Sequence, residues 1–487
     1  MSNSNGERVS LSSNGWKNYL NSGICVGIMI LFRFIPPVEP ITPLGMQVVG
    51  IFLGMLYGWL SVDMVWPSIL GLVALGLTEF TTVAGAFKSG FGNNTVLLIF
   101  FFFVVTNIVN EAGITHFIAQ WMVSLKFAKG RPWILSGLIM VTMCVLVTLV
   151  SCVAACLVIF PLIMTICEIY GFKPKDKWPV LMMIGVNYVG AIAYMLLPFK
   201  SLPAIAFGSY KELSGLDINY MKYVIIILIA TILTIALFLI ACRFFIKPDV
   251  SKIIEQKDAE FEKVESLTSY QKVIFVYFGL LIFFLLAPSV FPKSWPFIGI
   301  LNQIGNTGTL AIGIGVYLFL NFSKGLSVKK LFSKGISWEA VFLLSAALTV
   351  AGAIQDETTG IQQWIIQTVG PIVTGKSVMA FAFLIVFLSA FITQFANNLV
   401  TTAIFTPIVY TLGVASGNIN IPALMTALIL ACTLGLATPS ASNPATLIFA
   451  EKEWIEPKQA IFYGSLFTLL NVVLVFAVVF PLASVIM

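Results

Sequence analysis

The sequence predicts an all-α integral membrane protein, with eleven transmembrane helices and two re-entrant hairpins arranged as two inverted repeats. Three observations predict it. Of the 487 residues, 59% are hydrophobic and 10% charged, where soluble domains carry roughly 25% charge, and the mean hydropathy is +0.99. The apolar residues run in long unalternated stretches, not in the ~10-residue alternating strands of a membrane barrel. The two halves of the chain also match one another in order. Seven cysteines, an odd number, lie mostly inside apolar stretches, no CxxC occurs and His116 is the one histidine. A disulfide framework, a zinc site and a haem site therefore lack material.

A polar Ser/Asn-rich tail, residues 1–18, precedes the first span at 19–36 (domain limits 19–43). It is no signal peptide, because the following apolar run ends in Pro36-Pro37 without a small-residue cleavage site. The first repeat, 44–247, holds spans at 44–60, 63–79 and 95–110, a long stretch at 133–168, an interrupted span at 179–207 and a span at 221–246. A charged linker, 248–271, reads as an interfacial connector. The second repeat, 272–487, holds spans at 272–290, 308–322 and 338–354, a long stretch at 377–414, an interrupted span at 421–449 and a last span at 459–486. The stretches 133–168 and 377–414 are too long for one span and polar at their middles. Each reads as a hairpin that enters and leaves on one side, which is tolerated only where protein or a water-filled cavity covers it.

With the N-terminus cytoplasmic and the C-terminus extracytoplasmic, cytoplasmic segments carry 20 Lys and Arg and external ones 6, while Lys200 falls inside a span. That bias fits a multi-pass protein of the cell membrane. The basic residues sit between apolar stretches, so they report topology rather than a nucleic-acid partner.

The repeat appears at two nearly equal offsets. Glu111 and Glu357 are 246 apart, as are Pro161 and Pro407. "PFKSLP" at Pro198–Pro203 matches "PSASNP" at Pro439–Pro444 at 241, as Lys211-Glu212 matches Lys452-Glu453. Five spans and a hairpin per copy turn the second copy upside down. Such repeats build secondary transporters, with the site at the repeat interface. Two prolines close together unwind a helix locally, and the freed amides and half-helix N-termini make an anion site. Glu111 and Glu357 read as caps of the interfacial helices that follow them, and His116 as structural.

The segments of this core are almost uncharged. No charge lies between Arg131 and Glu168 or between Lys376 and Glu451, and Lys200 alone lies between Lys177 and Lys211. A charge at membrane depth is costly, so it reads as functional. Polar groups accompany it: Ser151 and Cys152 at the first tip; Thr393, Asn397, Asn398, Thr401 and Thr402 at the second; Ser201, Thr438, Ser440, Ser442 and Asn443 in the breaks. Thr401 and Thr402 are equally suited to bonding their own helix.

These features together resemble the divalent anion/sodium symporter family, the di- and tricarboxylate transporters of the ion transporter superfamily. That family carries Ser-Asn-Thr at each hairpin tip, ten residues before a proline. Ser151-Cys152-Val153 before Pro161 and Asn397-Asn398-Leu399 before Pro407 occupy those places. The resemblance implies an elevator: hairpins and broken helices form a transport domain that slides against a dimeric scaffold, with horizontal arms starting near Gly113 and Gly360. It implies a substrate site at Ser151, Cys152, Lys200, Ser201, Asn397, Asn398, Pro439 and Ser440. Thr393, Ala396 and Asn398 stand where relatives hold a second sodium, with backbone carbonyls near Thr438 completing an oxygen set. Cys152 replaces the Asn that helps bind a first sodium, and Val153 and Leu399 replace substrate-holding Thr residues. Lys200 reads as the positive charge that sodium supplies in relatives.

The expected partners are a small organic anion, membrane lipid and a second copy of the chain. No cofactor is implied beyond sodium as a coupling ion. An enzyme lacks the parts, with no intramembrane His, carboxylate pair or nucleophile–base motif, and a primary pump lacks an ATP-binding motif. Sodium-coupled transport and anion exchange both remain open, with a sodium-independent channel or uniporter as the alternative.

Overall fold

A computed structural model describes residues 15–123, 128–255, 266–321, 328–333, 335–373, 378–439 and 441–487. All regular structure among them is helical: α1 (Gly15–Leu31), α2 (Pro43–Ser61), α3 (Val65–Gly76), α4 (Val83–Phe91), α5 (Asn94–Glu111), α6 (Ile114–Val123), α7 (Pro132–Leu149), α8 (Cys152–Tyr170), α9 (Lys177–Tyr194), α10 (Ser201–Ser214), α11 (Tyr220–Ile246), α12 (Ser251–Glu255), α13 (Ser269–Val290), α14 (Pro296–Asn321), α15 (Val328–Ser333), α16 (Trp338–Gln355), α17 (Ile361–Val373), α18 (Val378–Ile392), α19 (Asn398–Ser416), α20 (Ile421–Cys432), α21 (Asn443–Ala450) and α22 (Pro457–Ile486). The chain is a multi-pass membrane protein.

Ten of these helices, among the described residues, are long and apolar enough to cross a membrane, against eleven expected spans. The difference has particular causes. The interrupted spans 179–207 and 421–449 divide into α9 with α10 and α20 with α21, and none of the four is among the ten. The expected span 63–79 shortens to the 12-residue α3. There the Thr78 hydroxyl bonds the Leu75 carbonyl (2.7 Å) and takes the Phe80 amide (3.2 Å), a local turn that competes with the helix. The expected span 19–36 stops at Leu31 and tightens into a short 3₁₀ turn. The expected span 308–322 begins earlier, at Pro296, and bends at Gly305, whose φ of +69° only glycine takes without strain.

The stretch 133–168 folds back on itself at Val150–Ser151, and 377–414 at Thr393–Asn397. The arms α7, α8 and α19 have 18, 19 and 19 residues and are among the ten. At ~1.5 Å per residue each reaches nearly the ~30 Å of a bilayer core. Three of the four arms are longer than the re-entrant reading assumes.

The chain divides into two compact units. The first comprises residues up to Phe91 together with Trp338–Gln367. In it α1 and the turn that follows it pack along α2 through Gly50, Gly54 and Gly58, where a Cβ would fall 2.3 Å from Phe32, 2.5 Å from Met29 and 2.9 Å from Cys25 Sγ. Small residues at four-residue spacing let two helix backbones approach closely. α16 packs against α2, α3 and α4.

The second unit comprises Gly92–Ser337 and Thr368–Met487 and contains both hairpins and both broken helices. Its centre is α9 and α20. Every residue from Trp178 to Ala193 is buried, as is every residue from Ala423 to Cys432. These two helices hold equivalent places in the order hairpin, half-helix, break, half-helix, long helix, which α7–α11 and α18–α22 both follow. The later half-helices cross over: α10 packs on α19 and α21 packs on α8. By contrast α13 and α14 expose Phe275, Phe283, Ile300, Ile312 and Phe319, a face suited to lipid tails.

The arms expected near Gly113 and Gly360 begin at Ile114 and Ile361, and both glycines take positive φ, +70° and +67°. Neither Glu111 nor Glu357 occupies the N-cap position of the arm that follows it. Glu111 ends α5 and Glu357 lies in a 3₁₀ turn, where the capping carboxylate is Asp356, which accepts from the Thr358 amide at 2.9 Å. Asp356 is the extended residue from which that short turn starts, the place where a side-chain oxygen reaches the first free amides. His116 is exposed on α6.

Candidate functional site

Each hairpin tip is built the same way. Ser151 is the N-cap of α8, its hydroxyl accepting the Ala154 amide at 3.2 Å, and Asn397 is the N-cap of α19, its Oδ1 accepting the Leu399 amide at 2.9 Å. Both therefore aim a helix N-terminus, with its unpaired N–H groups and positive dipole end, out of the tip. Cys152 and Asn398, the first residues of those helices, are turned inward, Cys152 being buried.

Both breaks follow from their prolines. The second proline of each pair, Pro203 or Pro444, sits in the first turn of the following half-helix, where the missing N–H has no partner to lose. The first, Pro198 or Pro439, lies in the unwound segment. The half-helices that lead into the two breaks meet at their ends: the Thr433 hydroxyl, just after α20, donates to the Ala191 carbonyl in the last turn of α9 at 3.2 Å.

Lys200 is the N-cap residue of α10 but does not cap it. Its side chain, 2% exposed, turns to the first hairpin, and Nζ donates to the Val150 carbonyl at 3.0 Å. The rings of Tyr194 and Phe102 lie 4.5 and 5.4 Å from Nζ, a cation–π arrangement. Ser201 is also buried. Three ion pairs, Lys175–Glu456, Lys211–Asp217 and Lys252–Asp176, occur among the described residues, and none includes Lys200. A buried ammonium without an acidic partner is a ready counter-charge for an anion.

The second half-site is neutral. The one Thr393 hydroxyl proton is shared between Asn398 Oδ1 at 2.7 Å and the Cys432 carbonyl at 2.9 Å, and Asn398 Nδ2 donates to the Thr433 carbonyl at 2.8 Å. The hydroxyl, amide oxygen and backbone carbonyls expected for a cation are thus together, but the carbonyls are those of Cys432 and Thr433. Thr438 lies apart from this set and bonds the Gln394 carbonyl. Ala396 is buried at the tip. Pro439 is exposed, its carbonyl accepting from Thr446 at 2.8 Å, and Ser440 lies outside the described residues. Thr401 and Thr402 bond their own helix, to the Asn397 and Asn398 carbonyls at 3.2 and 2.8 Å. Among the described residues no cluster of three or more His, Cys, Asp or Glu can hold a metal, so any cation here would rely on neutral oxygens.

A profile of the citrate transporter family matches residues 51–394 and again 300–486. The chain belongs to the citrate transporter family. Membership places it in a transporter family rather than among enzymes, as the sequence resemblance leads one to expect. A relative, the sodium-dependent dicarboxylate transporter SdcS of Staphylococcus saprophyticus, is 24% identical over 320 residues, a stretch covering 63% of this chain and 60% of that protein. Two solved structures share the fold of this family member at 12% identity. They are the YdaH transporter of Alcanivorax borkumensis (TM-score 0.58, 96% of each chain) and MtrF of Neisseria gonorrhoeae (TM-score 0.54, 94% of each chain).

Two participants in this transporter's site escape sequence reading. One is the Val150 carbonyl, a backbone acceptor hidden behind an apolar side chain. The other is Gln394, 7% exposed, whose only signal is a lone amide beside Thr393 in an apolar run.

Proposed function

We propose that this protein carries a di- or tricarboxylate across the cytoplasmic membrane as a secondary active transporter. Lys200 carries the reading: an ammonium with no acidic partner, bonded to a hairpin-tip carbonyl beside the junction of two broken helices. The anion's carboxylates meet Lys200 and the N-terminal amides above Ser151 and Asn397, with Cys152, Ser201, Asn398 and the Pro439-Ser440 stretch around them. Convergent half-helix N-termini suit such a ligand. The hairpins and broken helices move together as an elevator against a scaffold that dimerises, with the N-terminus cytoplasmic and the C-terminus outside.

Thr393, Asn398 and the Cys432 and Thr433 carbonyls supply neutral oxygens for one sodium, with Ala396 and Thr438 close in sequence to the set. Lacking a carboxylate, they would bind it weakly, so ion and anion bind with mutual dependence. Lys200 itself favours a second coupling mode, exchange. A covalently fixed ammonium loses its charge only by giving up its proton, so an empty carrier that keeps the proton would have to move a bare buried charge, whereas the loaded carrier moves a neutralised one.

The test is uptake of labelled carboxylates into proteoliposomes, with sodium or choline outside and with or without internal substrate. Saturable uptake with counterflow is expected. Sodium dependence with a Hill coefficient near one supports the single-ion mode, and sodium-independent uptake that requires internal substrate supports exchange. Inorganic ion flux at channel rates without carboxylate uptake refutes the transporter reading.

A further inference from the structure

We infer that Gln394 is a positioning residue that fixes the backbone of the second break and thereby pre-forms the second half-site; this rests on the transport reading above. Gln394 follows the last turn of α18, and its amide uses its full hydrogen-bonding capacity. Nε2 donates to the Ala390 carbonyl at 2.8 Å and to the Leu434 carbonyl at 2.6 Å. Oε1 accepts the Leu436 and Ala437 amides at 3.1 and 3.0 Å. Two donors and two lone pairs are all that a carboxamide has. The arrangement also fixes which way the amide faces, since a flipped amide would set NH₂ against two N–H groups and oxygen against two carbonyls.

The targets matter as much as the number. An unwound segment lacks the repeating bonds that orient peptide planes in a helix, so something else must orient them. Gln394 reads one carbonyl and two amides in four consecutive residues, and its own carbonyl takes the Thr438 hydroxyl. Thr393 and Asn398, its neighbours on the same tip, hold the Cys432 and Thr433 carbonyls. The hairpin tip thus grips residues 432–438 in register, and Gln394 contributes the larger part of the grip. With Leu434 turned to Gln394, the preceding carbonyl is free to face Asn398. A small shift there would spoil the oxygen set and the adjacent anion contacts, and misplacing binding groups by about 1 Å can cost ~100-fold in rate.

No Asp, Glu, Lys, Arg or His lies between Lys376 and Glu451, so the segments that Gln394 bonds bring no carboxylate or basic side chain to it; Tyr410 and Cys432 are their titratable groups, both present unchanged in wild type and variants. That makes a donor–acceptor experiment clean. Gln394→Met keeps the length and loses every bond. Gln394→Glu keeps the two acceptor contacts when ionised, but a carboxylate cannot donate to Ala390 or Leu434; protonated, its single O–H restores one of those two donor contacts while the other oxygen still accepts. Wild type and both variants are reconstituted and assayed with labelled citrate and labelled succinate from acid to alkaline pH, each value taken relative to wild type at the same pH. The expected result is a half-saturation concentration raised about tenfold or more in Gln394→Met at every pH, with maximal rate changed less. Gln394→Glu should match it at alkaline pH and return toward wild type in acid. A defect of mere folding would not be relieved by acid in the Glu variant alone.

Amide hydrogen exchange at Leu436 and Ala437 gives a readout that does not need transport. It should be slow in wild type and fast in Gln394→Met. Gln394→Met with wild-type half-saturation, Glu and Met variants equally impaired at all pH, or unchanged exchange at the two amides would each overturn the inference. Should Gln394→Met fail to fold, the pH dependence of the Glu variant decides. Should wild type take up neither probe, the transport reading fails, and exchange at the two amides still decides the grip.

Discussion

Replacing Lys200 by Gln should weaken carboxylate binding and leave the empty protein no less stable. The two signs have separate origins. In the empty protein Lys200 Nζ has one carbonyl at 3.0 Å and two ring faces, set against a desolvation cost of several kcal/mol for a buried ion. Gln retains a donor for the Val150 carbonyl without that cost. In the loaded protein the ammonium faces the anion, and removing one partner of a buried charge pair costs about 2–5 kcal/mol. Coulomb attraction between unit charges ~4 Å apart at an effective dielectric of ~20 gives about 4 kcal/mol, within that span. At ~1.4 kcal/mol per decade, binding weakens roughly 30-fold to a few thousand-fold. The assay is thermal unfolding of purified protein with and without carboxylate. An anion at ~100 times its dissociation constant stabilises by about 2.7 kcal/mol, and a 30-fold loss of affinity cuts this below about 1 kcal/mol. The ligand-free variant should melt at or above the wild-type temperature. An unchanged ligand-induced shift together with unchanged uptake would refute the assignment of Lys200 as counter-charge.

Two further outcomes follow from other residues. In Gly435→Ala the added Cβ would lie 2.6 Å from Asn398 Oδ1 and 2.9 Å from the Ala441 carbonyl. Overpacking of this kind costs about 1–3 kcal/mol; uptake should fall about tenfold or more in protein that still elutes as a single folded species, and near-wild-type uptake would contradict the geometry of the Asn398–Thr433 contact. Hydrogen bonds from the Thr358 hydroxyl and then its amide hold the Asp356 carboxyl below its ordinary value of 3.8. A depressed carboxyl contributes stability that is present above the ordinary value and is lost as pH falls through the folded one. Thr358→Ala should therefore raise the Asp356 titration midpoint, followed by NMR of its side-chain carbonyl carbon, toward 3.8; an unmoved midpoint would contradict this.

The features legible in the sequence are those that depend on side-chain identity over a short range. Apolar run length marks most spans, Pro198 and Pro203 mark one break and Pro439 and Pro444 the other, and the absence of neighbouring charge marks Lys200. Features that depend on backbone atoms brought from far away were not legible. Lys200 seeks the Val150 carbonyl 50 residues earlier, and Gln394 seeks atoms of residues 434, 436 and 437, some 40 residues later. Every residue carries a carbonyl and nearly every one an amide, so no residue type announces which of them will be used. The same reason explains why the oxygen set uses Cys432 and Thr433 rather than the neighbourhood of Thr438. Thr78 and Gly305 mislead for a different reason: one hydroxyl or one missing Cβ redirects the chain inside a stretch whose hydropathy barely changes.

The crossing of α10 onto α19 and of α21 onto α8 sets a timetable for making the protein. From Ser214, the end of α10, to Asn398, the start of α19, the ribosome must add 184 residues. At ~5–20 residues per second this takes roughly 10–40 s. During that interval the first broken helix sits in or beside the translocon with its eventual neighbour not yet translated. The contact already at hand is the one with α7 and α8, where Lys200 meets Val150. The earliest-made half thus carries within itself the bond that shelters its charge until the later half arrives. A ribosome stalled anywhere in between would leave α10 without α19 and α20, two of the helices it packs on, a state that membrane quality control can recognise.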